Sequence, residues 1–142
     1  MKTYKSFREQ ILNNKTTCEN EVCEILNTIE VKKELNAFIE NEKKEIILEQ
    51  AIESDKRFKS CNPRKLEGMV VAVKDNISVK DMHLTAASRM LHNYKALVDA
   101  TIIKRIKDEG GIIIGKTNMD EFAMGSSNET SFFGLVENPI NK

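Results

Sequence analysis

Lys74 is the side chain with the clearest chemical use. It closes the apolar run Met69-Val70-Val71-Ala72-Val73 and is followed by Asp75-Asn76. A lysine at the end of an apolar strand either snorkels to water or is held by polar partners. In a dry pocket, burial disfavours the ammonium form and lowers the pKa. A neutral amine at physiological pH is then a general base. The same position also fits a lysine in a surface turn, and spacing alone leaves both readings open. Gly125-Ser126-Ser127, after Met124, joins small residues to hydroxyls, so backbone and ligand could approach closely there. No histidine is set up to activate either serine, and the same residues read equally as a polar turn.

Other chemistry-bearing residues form no constellation. Asp120 and Glu121 are adjacent, so on a helix they diverge by about 100° and do not face one ligand. His83 and His92 have no companions at metal-ligand spacing, and no metal site is expected. Gly115-Lys116-Thr117 matches the tail of a phosphate loop only weakly. It lacks the glycine spacing before it and a helix directly after it.

These residues must be positioned by a chain of 142 residues, which favours one domain. Lys and Arg number 22, Asp and Glu 22, and the net charge is zero. That balance excludes binding to nucleic acid or anionic membrane by bulk charge. With 40% hydrophobic and 31% charged residues the chain has a core to bury and is not built for disorder. The longest apolar run, Met69–Val73, falls far short of the roughly 20 residues of a membrane span. The start, MKTYKSFREQ, has no secretory signal pattern. Cys18, Cys23 and Cys61 form no C-x-x-C, and a cytoplasmic, reducing setting is the simplest expectation.

The chain divides near Pro63. Residues 1–65 contain no glycine, are rich in charge and read as mainly helical. Tyr4, Phe7, Ile11 and Leu12 predict a first amphipathic helix. Thr17 caps a second, with Val22, Ile25, Leu26 and Ile29 on its apolar face. Leu35–Ile39 fits a short strand. Residues 42–59 predict a third helix burying Ile46, Ile47, Ala51 and Phe58. Residues 66–142 hold all six glycines and read as strand-helix-strand followed by a substrate-side loop. Met69–Val73 suits a strand buried on both faces. A helix from Ala100 to Glu109, with Asp99 as N-cap, is stopped by Gly110-Gly111. Ile112-Ile113-Ile114 is a second buried strand closed by Gly115–Asn118. The order implies an α/β fold with parallel strands joined by a crossover.

The motifs resemble the amidase-signature family. They are the segments Leu66-Glu67-Gly68-Met69-Val70-Val71-Ala72-Val73-Lys74-Asp75-Asn76-Ile77, Thr85-Ala86-Ala87-Ser88-Arg89-Met90-Leu91 and Asp99-Ala100-Thr101. Gly115-Lys116-Thr117-Asn118-Met119-Asp120-Glu121-Phe122-Ala123-Met124-Gly125-Ser126-Ser127-Asn128-Glu129 and Asn138-Pro139 follow. The Asp120–Glu129 stretch is similar to the tRNA-dependent amidotransferase branch, and Leu35–Phe38 extends the likeness into the first half. The resemblance implies a mixed sheet sandwiched by helices, preceded by a helical N-terminal region. Residues 1–142 would be the N-terminal part of a single amidase domain, its remainder absent. It implies catalysis by a Ser-Ser-Lys triad in which Lys74 is the base, with Met124, Gly125, Ser126 and Ser127 lining the substrate pocket. The family's two serines fall after the Asn-Pro, beyond Lys142, so the chain alone is expected to be inactive. The implied reaction is glutamine hydrolysis, supplying ammonia that converts Glu-tRNA(Gln) to Gln-tRNA(Gln) or Asp-tRNA(Asn) to Asn-tRNA(Asn). Subunits B and C would complete a heterotrimer. ATP and Mg²⁺ would act at the partner subunit, which would also make most of the tRNA contact; no cofactor is expected on this chain. Another amidohydrolase of the family, or a non-catalytic chain that only binds a partner, are the alternatives.

Overall fold

Two threonines start the first two helices of the computed structural model, which describes residues 3–140. Thr3 forms a capping box with Ser6 at the head of α1, Tyr4–Leu12. Thr17 accepts from the Asn20 amide at the head of α2, Cys18–Val31. After a single 3₁₀ turn, β1 spans Phe38–Asn41, later than the Leu35–Ile39 expectation. Helix α3, Lys44–Lys59, buries Ile47, Ala51, Ser54, Asp55 and Phe58, a spacing that keeps one helical face inward. Ile46 is not part of that face; it is 38% exposed. The second half contributes β2, Val70–Lys74, α4, Thr101–Asp108, and β3, Ile112–Thr117.

The strands form a mixed three-stranded sheet in the order β1-β3-β2, with β1 antiparallel and β2 parallel to the central β3. Ile112 and Ile114 point to one face, where they pack with Phe7, Ile11, Cys18, Val22, Ile47, Ala51 and Phe58 from α1, α2 and α3. Ile113 points to the other, against Val73, Val79, Met82 and Ile103 of α4. Strand β3 is therefore covered on both faces, which is what its unbroken isoleucine run requires.

Three further expectations are corrected. Strand β2 is an edge strand of this sheet; only Val73 in it is buried and Ala72 is exposed. Asp99 does not cap α4, whose N-cap is Ala100 with no side-chain bond. Its carboxylate instead accepts from the Lys80 amide and pairs with Lys107 at 2.9 Å, one helical stretch away. Gly115-Lys116-Thr117 is not a closing turn but the last half of β3.

The extension of β3 depends on a bulge. Val71 pairs with Ile113, but the next residue, Ala72, pairs with Gly115. The extra residue reverses the alternation beyond it. Lys116, paired with Val73, thus shares the face of Ile113 and not that of Ile112 and Ile114. Gly115 is needed there because β1 runs close by: a Cβ would lie 2.5 Å from the Glu40 carbonyl oxygen.

Candidate functional site

Lys74 is the last residue of β2 and lies at the carboxyl end of a strand parallel to its neighbour. In such sheets the strand ends open onto the crevice where ligands bind. Its side chain is exposed and has no hydrogen bond or ion pair among the described residues. It lines an open cavity of about 640 Å³ together with Asn118, Asp120, Gly125, Ser126 and Ser127. The structure therefore brings Lys74 together with three of the four loop residues singled out from sequence. Met124 does not line this cavity and is 75% exposed.

The loop is shaped by Asp120. Its carboxylate accepts from the amides of Asn128 at 2.9 Å and Thr130 at 3.3 Å, and from the Thr130 hydroxyl at 3.0 Å. The Asn128 amide, aided by the other donors, holds the Asp120 carboxyl below the usual carboxylate range. The chain passes close to this carboxylate at Gly125, where a Cβ would collide with it. The backbone N–H groups of Gly125, Ser126 and Ser127 have no acceptor among the described residues. A substrate oxygen entering the cavity would find these donors unspent. Asn118 fixes the far side of the loop, accepting from Ser131 Oγ at 2.6 Å and donating to the carbonyls of Asn36 and Gly134.

Below Lys74, the chain turns at once: the Ile77 amide donates to the Lys74 carbonyl at 2.9 Å. Asp75 is fully buried. Its Oδ2 accepts from the Thr85 amide at 3.1 Å, the Thr85 hydroxyl and the Ala87 amide at 3.3 Å. These bonds hold Ala86 and Ala87 in the left-handed region, at φ of 48° and 52°. Non-glycine residues rarely sit there unless their surroundings impose it. The two alanines return the bonds to the loop, because Ala86 O accepts from the Phe122 amide and Ala87 O from the Phe132 amide, both at 2.9 Å. Ser88 Oγ donates to Glu121 Oε1 at 2.6 Å. The two histidines serve elsewhere: His83 contacts Glu40, and His92 the Arg89 carbonyl.

Sequence reasoning gives Asp120 and Lys116 no role and does not single out Asp75, yet these charged residues hold the site. Lys116 is the buried lysine among the described residues, 0% exposed, while Lys74 lines the cavity. A charged residue inside the apolar run 112–117 was the available signal.

The Amidase family model matches residues 22–142. The A subunit of glutamyl-tRNA(Gln) amidotransferase from Chlorobium limicola is 43% identical over 147 residues, covering 100% of this chain and 30% of that protein. The protein of the same name from Methanothermobacter thermautotrophicus is 49% identical over 133 residues, covering 92% of this chain and 29% of its own length. The crystal structure of the Thermotoga maritima protein of that name superposes with a TM-score of 0.69 at 35% identity, over 94% of this chain and 27% of that one. The chain thus spans less than a third of the length of these relatives.

Proposed function

Because the chain belongs to the amidase family, we propose that it is the lysine-bearing segment of a glutamine-hydrolysing amidotransferase subunit. In this reading residues 1–142 are the N-terminal part of one amidase domain. Lys74 is the terminal base, and the two serines it serves lie outside this chain. The observation that carries the reading is the placement of Lys74 at a strand end, in one cavity with Gly125–Ser127, in a chain 43–49% identical to glutamyl-tRNA(Gln) amidotransferase proteins.

The chemistry needs no histidine. Lys74 Nζ takes the proton of a bridging serine hydroxyl, which takes the proton of the nucleophilic serine. The nucleophile's oxygen adds to the side-chain carbonyl carbon of glutamine. Collapse of the adduct breaks the carbon–nitrogen bond, and the proton returns along the same relay so that nitrogen leaves as ammonia. Water then cleaves the glutamyl ester to glutamate and regenerates the serine. Loop N–H groups at 125–127 bind substrate oxygen during these steps. Ammonia passes to a partner that amidates Glu-tRNA(Gln) or Asp-tRNA(Asn), in an assembly with subunits B and C. ATP and Mg²⁺ act at that partner, which carries the tRNA. No helix among the described residues is long and apolar enough to cross a membrane, and a cytoplasmic setting suits this reaction.

The test is Lys74→Met in a polypeptide that carries this segment at full relative length, assembled with its partners. Ammonia release from glutamine is expected to fall by about a thousandfold or more, as when one member of a concerted catalytic set is removed. Near-normal release would remove Lys74 from the mechanism.

A further inference from the structure

Lys116 carries an amine with no access to solvent and no part in the proton relay above. Nζ lies 2.8 Å from Ile77 O, 3.1 Å from His83 O and 3.3 Å from Asp75 Oδ1. Two carbonyls accept its hydrogen bonds, and Asp75 Oδ1, which has no hydrogen-bond partner, faces it as an ion-pair partner. A neutral amine donating to both carbonyls would turn its lone pair toward the Asp75 carboxylate. Burial pushes the Lys116 pKa below the ordinary lysine value, and the Asp75 carboxylate offsets only part of that. The enclosed Nζ thus faces one carboxylate and two carbonyls and does not line the cavity.

What the cation holds is the geometry around Lys74. Asp75 divides its two oxygens: Oδ1 faces Lys116, while Oδ2 gathers Thr85 and Ala87. The carbonyls of Ala86 and Ala87 then fix Phe122 and Phe132, at the two ends of the cavity loop. Ile77 O and His83 O anchor the same ammonium to the segment that links Lys74 to Thr85. We propose that Lys116 and Asp75 form a positioning pair, in which the buried ammonium orients the Asp75 carboxylate and so sets the substrate loop 120–133 against Lys74. This deepens the reading above, and its kinetic half rests on that reading. The bulge at Ile113–Gly115 is what turns Lys116 to the face where this pair forms.

Two measurements test it. The first is amide hydrogen exchange of the 142-residue chain and needs no activity. In Lys116→Met the amides of Thr85, Ala87, Phe122 and Phe132 are expected to exchange at least about tenfold faster. Those of Ile113 and Ile114 should stay within about threefold, since β3 remains paired on both sides. A lone buried carboxylate can unfold the single variant, so Lys116→Met/Asp75→Asn, which removes both charges, is measured beside it. Equal loss of protection in both sets of amides, in the single and the neutral double variant alike, overturns the proposal. The second is glutamine hydrolysis at full relative length. Lys116→Met and Asp75→Asn should each lower kcat at least about tenfold with KM within about threefold. The double variant should be no slower than the slower single one, because both changes dismantle one device. Unchanged kcat in either single variant, or losses that multiply, overturns the proposal. The two readings fail separately: an active Lys74→Met protein refutes the glutaminase reading, while a site-selective exchange pattern still establishes the coupling of the loops.

Discussion

Glu67 offers the sharpest test of how the two halves are held together. It is fully buried just before β2. Arg64 Nε donates to Oε2 at 2.7 Å and Arg64 Nη2 to Oε1 at 2.9 Å, and Ser54 of α3 donates to Oε1 at 2.7 Å. The perturbation is Glu67→Gln, which keeps volume and one acceptor oxygen. Whichever way the amide turns, Arg64 loses one charge-assisted bond and its counter-charge. A hydrogen bond to a charged group contributes about 1.5–3 kcal/mol. Breaking a fully buried ion pair costs about 3–5 kcal/mol. The Arg64 side chain is 34% exposed and regains water, so the loss belongs at about 2–3 kcal/mol. With a urea dependence of about 1.5–2 kcal/mol/M, the unfolding midpoint falls by about 1–2 M. The assay is urea unfolding near neutral pH at micromolar protein.

The pH dependence supplies the control. Burial alone would raise the Glu67 pKa, but the Arg64 and Ser54 bonds outweigh it and hold the carboxyl below its ordinary 4.5. A depressed folded pKa means stability that is present above the unfolded value and lost as pH falls through the folded one. The gap between Glu67→Gln and the parent is therefore constant above about pH 4.5 and narrows below it. A midpoint unchanged within about 0.3 M near neutrality, or a gap undiminished in acid, would refute the reasoning.

Two further outcomes follow from the same corner of the core. Gly68 has φ of 73°, and a Cβ there would strike Cys18 Sγ; Gly68→Ala should cost about 2–4 kcal/mol, from the left-handed backbone and overpacking together. Adding Cys18→Ala should restore part of that loss in thermal unfolding, and no restoration would contradict the contact. Burial, reinforced by the Asp55 carboxylate, pushes the Cys18 thiol pKa up, so iodoacetamide at about pH 8 should label Cys23 and Cys61 quickly and Cys18 only on unfolding. Three equally fast thiols would contradict the burial of Cys18 in the core.

The local elements were legible because their causes are local. Threonine caps, apolar residues at helical spacing and the Gly110-Gly111 stop act within a few residues, and they placed α1, α2, α3 and the β2-α4-β3 order. Lys74 and Gly125–Ser127 were legible as motif letters, and the family followed from them. Asp99 misled because a good capping residue has a better partner in Lys107, which sequence spacing does not rank.

Tertiary structure alone decided which lysine is sealed and which is open. Lys74 ends an edge strand and faces a cavity. Lys116, which in sequence reads as part of the segment closing a strand, is enclosed. The cause is a single extra residue in the β3 ladder, which reverses every side chain after it. A bulge forms between two strands about 40 residues apart, so neither strand encodes it alone. The sequence by itself determined what the residues could do; the register between β2 and β3 decided which of them meet.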